Sequence, residues 1–280
     1  MTEPRHRRFA RRRVIVMSAP NGARRTTADH PALPLTPAAI ADTAGRLVDA
    51  GVAVLHLHVR DAAGLHTLDP DRYRAAIRAV RAAVGEDLII QVTTEAVGRY
   101  RPEQQMDTVR QLRPEAVSLA LNELCPDEGQ EERAGHFFDW LQAEGIWPQY
   151  ILYSPAELRR FDRLRRGGLF AEERPFCLLV LGSYARRVEG GPAELEAYRA
   201  AADLDAFPWA ACCFGRTEQQ MMGEALRLGG HVRLGFENNL WLPDGSLARD
   251  NAELVRRFLD SAPGPHRQPA TAAETRRLWR

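Results

Sequence analysis

The sequence predicts one α/β domain folded as a (β/α)8 TIM barrel. Three observations predict it: the length, the alternation of apolar runs with amphipathic segments, and the character of the runs. At 280 residues the chain suits a barrel, which uses about 250 residues as a single unit. Its strand-like runs are almost continuously apolar rather than alternating, as expected of strands covered on both faces in a parallel sheet. An open doubly wound sheet is the rival, but no GxGxxG turn follows the first run.

The strand candidates are 14–18, 52–58, 88–93, 116–120, 149–153, 176–181, 209–214 and 231–236. Amphipathic segments predict helices at 37–50, 70–84, 102–112, 130–144, 155–166, 192–202 and 217–228, and a last one at 251–259. Several open on proline, which suits the first helical turn because the missing N–H has no helical partner there. The single domain covers residues 1–280, with 1–13 as a flexible Arg-rich tail. That tail (Arg5, Arg7, Arg8, Arg11, Arg12 and Arg13) reads as a transit peptide, a polyanion patch or a solvated lead-in. The lead-in is preferred because strand-like Val14–Met17 follows at once.

Composition removes several functions. The net charge of +1 gives no field for nucleic acid. No apolar run approaches the roughly 20 residues that span a bilayer. Cys125, Cys177, Cys212 and Cys213 form no CxxC pair and read as reduced thiols of a cytoplasmic protein. All 38 basic residues are arginine. Without lysine there is no Schiff-base or pyridoxal phosphate chemistry and no P-loop.

Barrel enzymes work at the C-terminal ends of their strands. Asn21, Arg24, His56, His58, Arg60, Asp61, Thr93, Thr94, Ser118, Asn122, Tyr153, Ser154, Ser183, Arg216, Glu237 and Asn238 fall there. The sharpest signal is His56-Leu57-His58-Val59-Arg60-Asp61. Strand residues two apart share a face, so His56 and His58 project together. Paired imidazoles suit zinc, which wants a third ligand and an open position. Glu237, at the end of the eighth run, is the natural third, since that strand closes beside the first with the second next around the ring. The competing reading is a pair of histidines in a buried strand. His30, His66, His136 and His231 have no such spacing and read as structural or surface residues.

These blocks give the sequence a resemblance to the β-keto acid cleavage enzymes. It is carried by Ala19-Pro20-Asn21-Gly22-Ala23-Arg24, the 56–61 block, Gln91-Val92-Thr93-Thr94, Ser118-Leu119 and the 229–239 stretch from Gly229-Gly230-His231-Val232-Arg233 to Glu237-Asn238-Asn239. The resemblance spans nearly the whole chain. It implies a zinc-dependent barrel that reacts a β-keto acid with acetyl-CoA to give acetoacetate and a new acyl-CoA. It also implies a homo-oligomer, dimer or tetramer. The implied metal ligands are His56, His58 and Glu237. Arg233 looks like the catalytic arginine, the alternative being a structural ion pair, and Asn238 is the second catalytic candidate. Thr93, Thr94, Ser118 and Asn21 are candidate substrate contacts. Arg24 joins them as a group that would favour a second carboxylate, unless it is a surface charge.

The sequence departs from the family pattern twice. Asn238 stands where an aspartate follows the metal-binding glutamate, and asparagine cannot act as a carboxylate. Strand five, after Gly145-Ile146-Trp147-Pro148, reads Gln149-Tyr150-Ile151-Leu152-Tyr153 with no glutamate to serve as base. The expected substitutes are Glu157, Asp61 or a metal-bound water. The alternatives to the CoA-dependent reaction are a zinc hydrolase or C–C lyase that uses no CoA, and a metal-binding homologue that has lost catalysis.

Overall fold

Eight parallel strands close on themselves, as the apolar runs require. The computed structural model describes residues 5–184, 188–261 and 267–279. The barrel strands are β1 (Val16–Ser18), β2 (Val54–Leu57), β3 (Ile89–Thr93), β4 (Ala116–Ala120), β5 (Trp147–Leu152), β6 (Phe176–Leu181), β7 (Trp209–Cys213) and β8 (His231–Leu234). Each pairs with the next in sequence, and β8 returns to β1 with Arg233 opposite Met17. The fold class read from the sequence is therefore the one observed.

The barrel helices are α1 (Pro37–Asp49), α2 (Pro70–Val84), α3 (Pro102–Leu112), α4 (Glu131–Ala143), α5 (Pro155–Arg166), α6 (Pro192–Ala201), α7 (Glu218–Arg227) and α8 (Asn251–Ser261). Five begin on proline, and the starts of α1 and α5 are capped by Thr36 and Ser154 side chains that accept from Ala39 and Glu157 amides. Outward strand residues such as Leu55, Val92, Leu119 and Leu179 pack with helix residues such as Leu47, Val80 and Phe161 in the main core. Inward residues, among them Met17, Ile89, Ile151 and Leu178, fill the barrel itself. Among the described residues no helix is long and apolar enough to cross a membrane.

Three local features differ from the sequence expectation. The second run stops at Leu57, and Val59–Arg60 turns away to pair antiparallel with His66–Thr67. The eighth strand stops at Leu234 because Gly235 takes a φ of +143° over Ala19, where a Cβ would lie 2.4 Å from the Ala19 carbonyl oxygen. The Arg-rich N-terminus, expected as a tail, is helical over Arg5–Ala10 with His6 buried. That short helix lies against the floor of the barrel, where Arg7 pairs with Asp205; residues 1–4 lie outside the described residues.

Candidate active site

The end of β2 and the turn after β8 bring three ligating side chains together. The Nε2 atoms of His56 and His58 lie 3.1 Å apart. Glu237 Oε2 stands 3.3 Å from His58 Nε2 and 3.7 Å from His56 Nε2. Two glycines make room for this: the Gly235 turn carries Glu237 inward, and a Cβ on Gly22 would lie 2.6 Å from Glu237 Cγ.

Hydrogen bonds select the tautomers. His56 Nδ1 faces Gln91 Oε1 at 2.9 Å, and an amide oxygen only accepts, so the proton sits on Nδ1. His66 Nε2 donates to the Glu95 carbonyl at 3.0 Å, which leaves its Nδ1 to accept from His58 Nδ1 at 3.4 Å. Both Nε2 lone pairs then point at one spot. Glu237 Oε2, a buried atom with no hydrogen-bond partner among the described residues, points there too. Three converging lone pairs with outer partners fixing the rings are what a divalent metal requires, so the residues fit the ion that the sequence implied.

Electrostatics agree. Burial pushes the His56 imidazole down to about 4 and His58 to about 3, so both are neutral at pH 7. Burial works against the Glu237 charge, but the Arg233 guanidinium and the two imidazoles hold its carboxyl well below the usual range. Arg233 Nη2 donates to Glu237 Oε1 at 3.0 Å, to Cys212 Sγ at 3.3 Å and to Asn238 Oδ1 at 3.4 Å. Among the described residues its Nε has no partner.

The triad stands at the wall of a cavity of about 510 Å³ at the strand ends. Arg24, His56, Thr93, Arg233 and Glu237 line it. Asn21 lines a smaller adjoining cleft with Arg24 and Glu237, and its Nδ2 donates to the Pro34 and His58 carbonyls. Thr94 turns away and donates to the Ser118 carbonyl. Ser118 is buried beside it with an unpartnered hydroxyl, and neither residue lines the cavity. Asn238 faces a neighbouring cleft beyond Arg233.

The expected substitutes for the missing base separate here. Asp61 accepts from the Ala63 and Leu65 amides and shapes the hairpin, outside the cavity. Arg60 of the same block binds carbonyls of the first loop, including those of Gly22, Ala23 and Arg25. Glu157 does line the cavity, as do Glu95 and Glu123. Glu95 and Glu123 are the residues the sequence reading missed. Glu95 directly follows Thr93-Thr94 at the end of β3, and that position was the available signal. Burial, with Glu237 and Glu123 nearby, pushes its carboxyl up to about 7.

Fold and mouth together define a class: a (β/α)8-barrel enzyme with a candidate metal centre at the C-terminal ends of its strands. The chain belongs to the beta-keto acid cleavage enzyme family, whose model matches residues 13–280. It is 30% identical to a 3-keto-5-aminohexanoate cleavage enzyme of Fusobacterium nucleatum, across 95% of this chain and 97% of that one. A 3-oxoadipate:acetyl-CoA acetyltransferase of Cupriavidus necator is 26% identical, across 94% and 93%. The fold is shared with ObcA, solved as a ternary complex with a C4-CoA adduct and oxalate. That likeness has a TM-score of 0.71 at 19% identity, over 89% of this chain and 67% of that chain.

Proposed function

We propose that this enzyme exchanges the acyl groups of a β-keto acid and acetyl-CoA, giving acetoacetate and a new acyl-CoA, with a zinc ion on His56, His58 and Glu237. The observation that carries the reading is the unpartnered Glu237 Oε2 aimed between two neutral imidazole nitrogens at the cavity wall. A divalent ion held there would supply positive charge to the ketone oxygen and carboxylate of a bound β-keto acid. Arg233 has a free Nε–H and a guanidinium charge that suits the substrate carboxylate or a developing oxyanion. Its bond to Glu237 also holds the triad carboxylate in place. Thr93 contributes to the cavity wall from the end of β3, and its hydroxyl accepts from the Glu95 amide.

Arg24 is the substrate-selecting group in this reading. It lines both mouth clefts, and among the described residues no carboxylate pairs with it. Across the cavity Glu123 and Glu157 are held by backbone amides of Ala96 and Tyr153. A β-keto acid with a second carboxylate, such as 3-oxoadipate, is therefore the preferred substrate over an amino-substituted one.

A panel of β-keto acids incubated with acetyl-CoA and the zinc-loaded enzyme tests this. Acetoacetate should be released, fastest with 3-oxoadipate; a panel without turnover contradicts the reading. The second reading is a C–C lyase that uses no CoA. It is favoured by β5, where Ile151 rather than a carboxylate lines the cavity, and it predicts substrate loss without acetyl-CoA. We also propose a cytoplasmic home, consistent with four buried free cysteines, and a homo-oligomer, which light scattering on the purified protein would check.

A further inference from the structure

The acyl exchange proposed above begins when the carbon between the ketone and the carboxylate loses a proton, and the inference that follows rests on that reaction. Four carboxylates line the mouth cavity. Three are committed. Glu237 belongs to the candidate metal triad and pairs with Arg233. Glu123 Oε2 accepts from the Ala96 amide at 3.1 Å and from Gln105 Nε2 at 2.7 Å. Glu157 accepts from the Tyr153 amide at 3.0 Å and from Asn122 Nδ2 at 3.4 Å, at the start of α5. A carboxylate held by such donors has fewer lone pairs to offer a substrate proton.

Glu95 differs from all three. Its backbone is fixed at both ends, the amide donating to Thr93 Oγ1 at 3.0 Å and the carbonyl accepting from His66 Nε2. Its carboxylate takes no hydrogen bond from the described residues; the nearest basic group is His58 Nδ1 at 4.0 Å, the ring atom facing away from the triad. It lines both the main cavity and the cleft shared by Asn21, Arg24 and Glu237. β5 offers nothing comparable, because Gln149 is fully buried and held by Gln91 below the mouth.

We propose that Glu95 is the general base of this enzyme, acting from the end of β3 where the sequence has no carboxylate on β5. The Glu95 carboxylate takes a proton from C2 of the β-keto acid, and the C–H electron pair becomes the enolate. The enolate carbon attacks the acetyl-CoA carbonyl, the C–S bond breaks and CoA leaves as thiolate. The thiolate then adds to the original ketone and the bond from that carbon to C2 breaks. The new acyl-CoA departs, and protonated Glu95 returns its proton to C2 of acetoacetate. No oxidant or further reactant is consumed.

The test is deuterium exchange at C2, followed by proton NMR in D₂O without acetyl-CoA, on the panel member that yields acetoacetate. The wild-type enzyme should speed exchange above the spontaneous rate. Glu95→Gln should cut the enzyme-catalysed rate by at least about 100-fold, with circular dichroism and zinc content unchanged. Glu95→Asp should recover part of it. Wild-type exchange in Glu95→Gln overturns the assignment and leaves the acyl exchange standing. Loss of zinc from folded Glu95→Gln also overturns it, by making Glu95 part of the metal site. If no panel member yields acetoacetate and none exchanges, both readings fall together.

Discussion

The two ends of the barrel hold cavities of similar size and opposite character. The floor cavity, at the strand starts, measures about 480 Å³ and the mouth cavity about 510 Å³. At the floor the polar groups are satisfied from within. His231 Nδ1 accepts from the Ile15 amide at 3.1 Å, and Arg267 donates to the carbonyls of Arg13, Leu226 and Gly230. At the mouth, among the described residues, Glu237 Oε2 and Arg233 Nε are buried without partners. Buried polar atoms are normally paired, so unpaired ones clustered at a cavity mark where a ligand completes the bonding. Cavity volume alone would not have separated the two ends.

The comparison predicts that mouth substitutions damage chemistry and metal binding, while a floor substitution alters the pH dependence of stability and spares the chemistry. The largest effect belongs to His56→Ala. If a metal ion held there supplies several kcal/mol of charge stabilisation, removing a ligand should lower acetoacetate formation at least about 1000-fold, read by steady-state assay. Arg233→Gln should follow, because it strips the partner from the half-buried Glu237; a stability loss of up to about 3 kcal/mol is expected from urea unfolding of the metal-free protein. Added zinc should recover part of that loss. His66→Ala removes the group that fixes the His58 tautomer, and zinc affinity should fall about 10–100-fold by competition titration, with the fold retained.

The floor gives the smallest effect and a pH signature. Burial holds His231 well below its ordinary value, so it is neutral in the folded protein. An unfolded histidine binds a proton below about pH 6.5. The unfolded state therefore gains a proton the folded state does not, and stability present above pH 6.5 is lost as the pH falls. His231→Asn keeps an acceptor for the Ile15 amide and removes the titration. It should flatten the acid limb by up to about 1.4 kcal/mol per pH unit, seen in urea unfolding between pH 7.5 and 5.5. Acetoacetate formation at pH 7.5 should stay within about twofold of wild type; a large loss there would erase the contrast between the ends.

Much of this was legible in the sequence because it depends on local periodicity. Apolar runs bounded by Pro-led helices located all eight strands to within a few residues, and the two-residue spacing put His56 and His58 on one face. Glu237 was suggested by strand order around a closed ring and supplied by the family blocks. What was missed depends on contacts that periodicity does not show. His66 reads as a structural or surface residue until the hairpin after β2 folds it onto His58. Glu95 looks like any polar residue after a strand until its neighbours' carboxylates are seen to be occupied. The Arg5–Ala10 helix has only six residues, too few to announce itself, and takes its place by burying His6 against the floor.

Zinc stoichiometry bears most directly on the central claim that the mouth is a metal-dependent active site. Purified wild-type protein, stripped and then titrated with zinc, should bind one ion per chain tightly, while Glu237→Gln at equal folded content should bind it at least about 100-fold more weakly. Equal tight binding by the two proteins would contradict the account.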